Sequence, residues 1–129
     1  MATGFPASTG DVLSAAMYNG LTSFSVGAAQ TADYTAVLND QYQNLEIMNK
    51  ATAIAFKIPT DASVAFEIGT VLTVLNIGVG TCTISAVTPG TTTVLSAGAV
   101  AASPTLAQYK SAACIKTAAN TWYVVGAIA

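Results

Sequence analysis

From Tyr34 onward the apolar residues of this chain recur at every second position, in short runs separated by turn-forming residues. A period of two places alternate side chains on opposite faces of a strand, whereas a helix needs a period near 3.6. Residues 34–38 form the first such run, with Asn39-Asp40 as its turn. In residues 44–49, Leu45 and Ile47 share one face and Glu46 and Met48 the other. Residues 52–58 alternate more cleanly: Ile54, Phe56 and Ile58 face one way, Ala53, Ala55 and Lys57 the other. Pro59 ends this run because it has no N–H to donate, and Thr60-Asp61-Ala62-Ser63 is a turn. Residues 70–77 are the densest in β-branched side chains. Gly78-Val79-Gly80 breaks that strand, and residues 81–87 run back from it, as a hairpin would. Pro89-Gly90 marks another turn, residues 92–95 a shorter strand, and residues 98–106 a loop containing Ser103-Pro104. Residues 112–116 and 121–125 are the last two strands, punctuated by Asn120, with Trp122 anchoring one sheet face.

Seven or eight short strands at this spacing predict a mainly β fold, an antiparallel β-sandwich or a jelly-roll-like barrel. No fixed-period repeat points to a solenoid or propeller. Residues 1–30 read differently. Thr9 and Asp11 are N-cap types, and Val12, Leu13, Ala16 and Met17 follow at helical spacing before Asn19-Gly20 stops the pattern. About two turns of helix are marginal alone and need something to pack on, and residues 21–31 read as an extended or loop segment. The chain therefore divides into an N-terminal arm, 1–30, with a short helix or extended structure, and a β-domain, 31–129. A chain of 129 residues is one domain's worth and buries roughly two thirds of its unfolded surface.

Only 8% of the residues are charged, against about 25% in an ordinary soluble domain. There is no His and no Arg, and the net charge is −2. A nucleic-acid partner is not expected, since no basic footprint exists. The surface is made of Thr, Ser, Asn, Gln and Ala, which repels neighbours weakly and suits close packing against other protein. Apolar stretches are too short and too interrupted to span a bilayer, so no membrane association is expected. The N-terminus lacks the basic start and apolar run of a signal peptide, which predicts a protein kept in the cytoplasm until assembly. Cys82 and Cys114 have no zinc-type spacing. They read as buried free thiols or as one disulfide, and a reducing cytoplasm favours the thiols.

Catalysis by Ser–His–Asp or Cys–His is excluded without a His. The acidic pairs close in sequence are Asp61 with Glu67 and Asp33 with Asp40. Asp61 sits in a turn where it can accept backbone N–H groups, so turn and surface roles outweigh a hydrolytic dyad. Gly78-Val79-Gly80 lacks the Lys-Ser/Thr and the helix of a phosphate loop. No calcium-type cluster of acids is visible. No cofactor and no enzymatic activity are expected. Tyr34, Tyr42, Tyr109, Trp122 and Tyr123 offer rings for stacking on sugar or, alternatively, anchors for a core or subunit interface. Phe56, Phe66, Tyr109 and Trp122 are the expected core or interface anchors.

The segment Pro59-Thr60-Asp61-Ala62-Ser63-Val64-Ala65-Phe66-Glu67-Ile68-Gly69-Thr70 is followed by Asn76-Ile77-Gly78-Val79-Gly80 and Thr83-Ile84. Gln108-Tyr109 precedes a strand, and Asn120-Thr121-Trp122-Tyr123-Val124-Val125-Gly126 closes the pattern. Over residues 32–129 this order resembles a β-sandwich module found at the C-terminal ends of many tailed-phage virion proteins, among them tail fibres and small particle-surface proteins. Many such modules carry Arg where this chain has Gln108. The opening Gly10-Asp11-Val12-Leu13-Ser14-Ala15-Ala16, with Asn19, is similar to short N-terminal attachment segments of phage fibre proteins.

The resemblance implies a fold and a virion setting, and no active site. The first expectation is a capsid decoration or cement protein on the particle surface. It would bind the major capsid protein through the arm, with Phe5, Val12, Leu13, Met17 and Tyr18 as contacts, and would associate with copies of itself, a trimer being favoured. A chain too short for a fibre shaft favours this reading. The second expectation is a tail-fibre or adhesin tip that binds host surface carbohydrate, motivated by the tyrosines and the loop from Ser96 to Thr105. In that case the partner is a tail protein.

Overall fold

A computed structural model describes residues 25–43, 45–96 and 103–128. The short helix expected after Asp11 and the arm contacts Phe5, Val12, Leu13, Met17 and Tyr18 lie outside the described residues.

The described chain is mainly β. Its strands are β1 (Tyr34–Thr35), β2 (Glu46–Met48), β3 (Ile54–Ile58), β4 (Val71–Asn76), β5 (Cys82–Ala86), β6 (Thr93–Leu95), β7 (Thr105–Leu106), β8 (Lys110–Ala118) and β9 (Thr121–Gly126). A 3-10 turn, Leu38–Tyr42, lies between β1 and β2. The strands form two open sheets. Sheet I has the order β1-β3-β5-β7 and sheet II the order β2-β4-β8-β9-β6.

The sheets are mixed, which corrects the expected antiparallel arrangement, and neither closes into a barrel. The pairs β1–β3, β3–β5, β2–β4 and β6–β9 are parallel, and β4–β8, β5–β7 and β8–β9 are antiparallel. The cause lies in the connections. The expected hairpin across Gly78-Val79-Gly80 does not form, because β4 belongs to sheet II and β5 to sheet I. The chain crosses between the sheets there as an arch. It does the same between β2 and β3, and the two arches stack. The β2–β4 and β3–β5 partners, one pair in each sheet, keep the same 28-residue offset, Glu46 to Val74 and Ile54 to Cys82. Val26 and Gln30 bridge in parallel to Leu45 and Met48, and β1 then joins β3, so a further pass lies on the same stack.

Glycine is required where the arches touch. The N–H of Gly80 donates to the Lys50 carbonyl at 2.9 Å, and a Cβ on Gly80 would lie 1.8 Å from the Thr52 carbonyl oxygen. Asn76 closes the arch from inside. Its amide nitrogen donates to the carbonyls of Gly80 (2.8 Å) and Leu106 (2.9 Å), and its oxygen accepts from the Gly78 N–H at 3.0 Å. The β8–β9 turn is an ordinary hairpin with Asn120 at φ 48, a left-handed conformation that Asn tolerates.

The inner sides of both sheets contribute to one apolar cluster. Ile54, Phe56, Ile58, Cys82, Ile84 and Leu106 come from sheet I, and Met48, Leu72, Val74, Val94, Cys114, Trp122 and Val124 from sheet II. Phe66, from the segment between β3 and β4, sets its ring edge-on to Trp122 at 5.5 Å, a favoured aromatic geometry.

Candidate functional site

Each strand of sheet II buries one side and leaves the other partly open, and the open side is uncharged, with apolar side chains among Thr and Ser. Register defines its rows. Val71 of β4 pairs with Ile115 of β8, which pairs with Tyr123 of β9, which pairs with Leu95 of β6. Thr73, Ala113 and Val125 form a second row, and Ile47, Leu75 and Ser111 a third. No charged side chain belongs to these rows. Val71, Tyr123 and Val125 are 47%, 45% and 51% exposed. The outer side of sheet I is Thr35, Ala55, Lys57, Thr83, Ser85 and Thr105, a face water hydrates readily.

Two polar clusters lie inside. In β2 it is Glu46 and Met48 that point inward and Leu45 and Ile47 that stay partly open. Glu46 is 2% exposed. The 3-10 turn brings Asp40 back to it. Asp40 accepts from the Tyr34 hydroxyl (2.7 Å) and from the Val37 N–H (2.8 Å) through Oδ2. Burial first, then the charge of Asp40 and a hydrogen bond to it, push the Glu46 carboxyl up to about 7. Glu46 thus holds a proton against Asp40 where an ordinary carboxyl has lost it. Burial and the bond to Asp40 likewise raise Tyr34, keeping its hydroxyl a donor.

The second cluster ties the segment after β3 to the β8–β9 hairpin. Lys116, 3% exposed, donates from Nζ to Asp61 Oδ1 at 2.8 Å and to the Phe66 carbonyl at 2.6 Å. The Asn120 N–H donates to Asp61 Oδ2 (2.9 Å), and the Asp61 N–H donates to Asn120 Oδ1 (2.8 Å). Burial alone would raise Asp61. The bonds from Lys116 and Asn120 and the Lys116 charge outweigh it and hold the carboxyl below its ordinary range.

Neither acidic pair singled out in the sequence meets; Asp40 instead meets Glu46, six residues further on. Asp61 is committed to Lys116 and Asn120, while Glu67 is exposed. Asp33 accepts from the Ala55 N–H at 3.0 Å, and Asp40 turns to Tyr34 and Glu46. The hydrogen bonds of both clusters run between strands and the segments beside them, while Glu46 Oε1 has no hydrogen-bond partner among the described residues. Among the described residues no group of three His, Cys, Asp or Glu gathers as a metal site. Cys82 and Cys114 are buried free thiols, pushed up to about 11 and 12, chiefly by burial, so neither is an activated nucleophile.

Of the expected anchors, Phe56, Phe66 and Trp122 lie in the core. Tyr109 is 75% exposed at φ 64 and stands outside the core. The tyrosines do not gather into one stacking surface. Tyr34 bonds inward to Asp40, Tyr123 lies on the outer side of sheet II, and Tyr109 follows the Asn76 arch, its N–H donating to the Asn76 carbonyl. Sequence reasoning missed the apolar outer face. Its signal is β4, where Val71 and Leu75 on one side match Leu72 and Val74 on the other.

No protein-family model matches the chain, and neither a curated protein nor a solved structure shows significant similarity to it.

Proposed function

We propose that this chain is a non-enzymatic structural protein of a bacteriophage particle, a decoration protein that binds the assembled shell and stabilises it. In this reading the two sheets are a β-sandwich, residues 1–30 attach it to the major capsid protein through Phe5, Val12, Leu13, Met17 and Tyr18, and copies associate, a trimer being favoured. The observation that carries the proposal is the uncharged, apolar outer face of sheet II. A surface of this kind in a chain with 8% charged residues suits coverage by protein. The commitment of Asp61, Lys116 and Asn76 to bonds that tie segments together agrees with a structural role. The phage setting itself rests on the sequence resemblance over residues 32–129.

The test is quantitative staining of purified heads and tails. A decoration protein is present in hundreds of copies and stays on tail-less heads, and absence from heads refutes the reading. Deleting residues 1–20 should abolish particle binding and leave the β-domain folded. Unchanged incorporation refutes the arm's role.

One observation favours the second reading, a fibre or adhesin tip. Tyr109 holds its ring in solvent on a left-handed backbone, and such a ring can stack on a sugar. Tyr109→Ala should then abolish binding to host cells while particles still assemble.

A further inference from the structure

We propose that the outer face of sheet II is covered by the same face of a second copy of this chain. The inference rests on the assembly reading above for association between copies and names its partner and surface; a face that meets itself closes a two-fold pair, so it favours a dimer over the trimer. At ordinary strand spacing and rise, five strands and three rows give a corrugated footprint on the order of 400 Å². The flanking hydroxyls of Thr93 and Thr121 extend it toward the ~800 Å² per partner that a stable interface buries. The apolar centre and hydroxyl rim follow the usual interface anatomy.

Three features select a copy of the chain as occupant. The face carries no charge, so a basic or acidic partner surface would lose hydration against it without a counter-charge, whereas the face meets itself with no unpaired ion. The chain's net charge of −2 sets up little repulsion between copies. Projection and recess coexist on the face. Tyr123 pairs with Ile115, and the adjacent pair is Ala113 with Val125, so a large ring stands diagonal to a small side chain. An isologous contact needs such self-complementarity, and sheets pack face to face at about 10 Å through interdigitating side chains.

Light scattering on the full chain at high micromolar concentration tests this. The wild type should be a dimer, and a trimer, which this face cannot close by meeting itself, counts against the proposal. Tyr123→Lys with Val125→Lys should weaken association by roughly 100-fold or more, as expected for charge at an interface centre. Ala55→Lys with Thr83→Lys on the outer side of sheet I should leave the oligomer intact. Trp122 fluorescence reports whether each variant is folded, and Tyr123→Ser with Val125→Ser replaces the lysine pair if that pair is not. A wild-type monomer overturns the proposal, whether residues 1–24 or a shell protein then cover the face. An oligomer indifferent to the Tyr123 and Val125 variants also overturns it. Head binding is scored separately: an intact oligomer missing from heads refutes the decoration reading and leaves this interface standing.

Discussion

On the outer side of sheet I stand Thr35, Ala55, Lys57, Thr83, Ser85 and Thr105, and on that of sheet II Ile47, Val71, Leu75, Ile115, Tyr123, Val125 and Leu95 around Thr73 and Ala113. The inner sides are alike and meet in one cluster. A sheet with one solvated face shows clean alternation, and a sheet covered on both faces shows near-continuous apolar runs. β3 is of the first kind, Ile54, Phe56 and Ile58 inside with Ala55 and Lys57 outside. β4 is of the second kind. The difference separates residues that hold the fold from residues left for a partner.

The comparison depends on the arches that hand the chain from sheet II to sheet I, and breaking one has the largest expected effect on stability. In Gly80→Ala the new Cβ meets the Thr52 backbone, with the oxygen at 1.8 Å and its carbon at 2.2 Å. Backbone cannot swing aside as a side chain can, so the stacked arches must part. A loss of about 3 kcal/mol or more in denaturant melts is expected. Gly90, whose Cβ would meet nothing within 4 Å, is the control, and Gly90→Ala should stay within about 0.5 kcal/mol.

The next effect concerns β2, where the usual assignment of faces is reversed and an acid points inward beside an outward Ile47. Glu46 has a folded value of about 7 against an ordinary 4.5. Below the lower value both states are protonated and the arrangement is fully stable. As pH rises toward 7 the unfolded chain releases the proton first, so stability falls, and above the folded value the loss is complete. The drop is about 3–4 kcal/mol at about 1.4 kcal/mol per pH unit. Glu46→Gln keeps a donor toward Asp40 at every pH. It should flatten the pH dependence and melt higher than wild type at pH 8, as followed by thermal melts across pH 4–9 (roughly the window set by both values). A wild-type profile equally flat would refute the shared proton.

How far sequence carried depended on whether a signal was local. The inward set of β3 and the stops at Pro59 and Asn120 were legible because each is written in a few adjacent residues. The β4–β5 connection was misread because Gly78-Val79-Gly80 satisfies a hairpin turn and an arch equally well. The deciding fact is that β4 pairs with β8, whose partner for Val71 is Ile115, and local periodicity holds no such information. The Asp40–Glu46 meeting was missed because alternation assigns Leu45 and Ile47 inward as readily as Glu46 and Met48. The Lys116–Asp61 bond spans 55 residues. The apolar outer face was present in β4 as a run with no polar side, but it becomes a surface only once β8 and β9 are laid beside it.

A smaller effect sharpens the account of the inner side. Lys116 is the buried cation of sheet II, and its bonds hold Asp61 and the Phe66 carbonyl, so Phe66 stays edge-on to Trp122. Lys116→Met fills the same space without the donor. The Phe66 carbonyl loses its charged partner, while Asp61, a quarter exposed, recovers some solvation. The expected loss is about 1–2 kcal/mol. Asp61 is held below its ordinary range, so its contribution is present above the ordinary carboxylate value and lost as pH falls through the lowered one. The variant should therefore lose acid sensitivity along with stability. A variant as acid-sensitive as wild type would mean that Asn120 alone holds Asp61.

The smallest effect is the most direct test of the contrast between faces. Thr83 and Ala55 are paired neighbours on the outer side of sheet I, and Lys57 already stands on that face. Thr83→Lys should change the melting free energy by no more than about 0.5 kcal/mol, since the new ammonium reaches water along its own stem. Val125→Lys also sits on an outer side and is as free to reach water in an isolated chain, so its effect on the monomer should be equally small. The two variants should diverge only with concentration. The wild type and Thr83→Lys should melt higher as protein concentration rises, because association stabilises the folded state by mass action. Val125→Lys should lose that dependence. If both variants keep it, or both lose it, the chemical difference between the outer faces has no bearing on assembly.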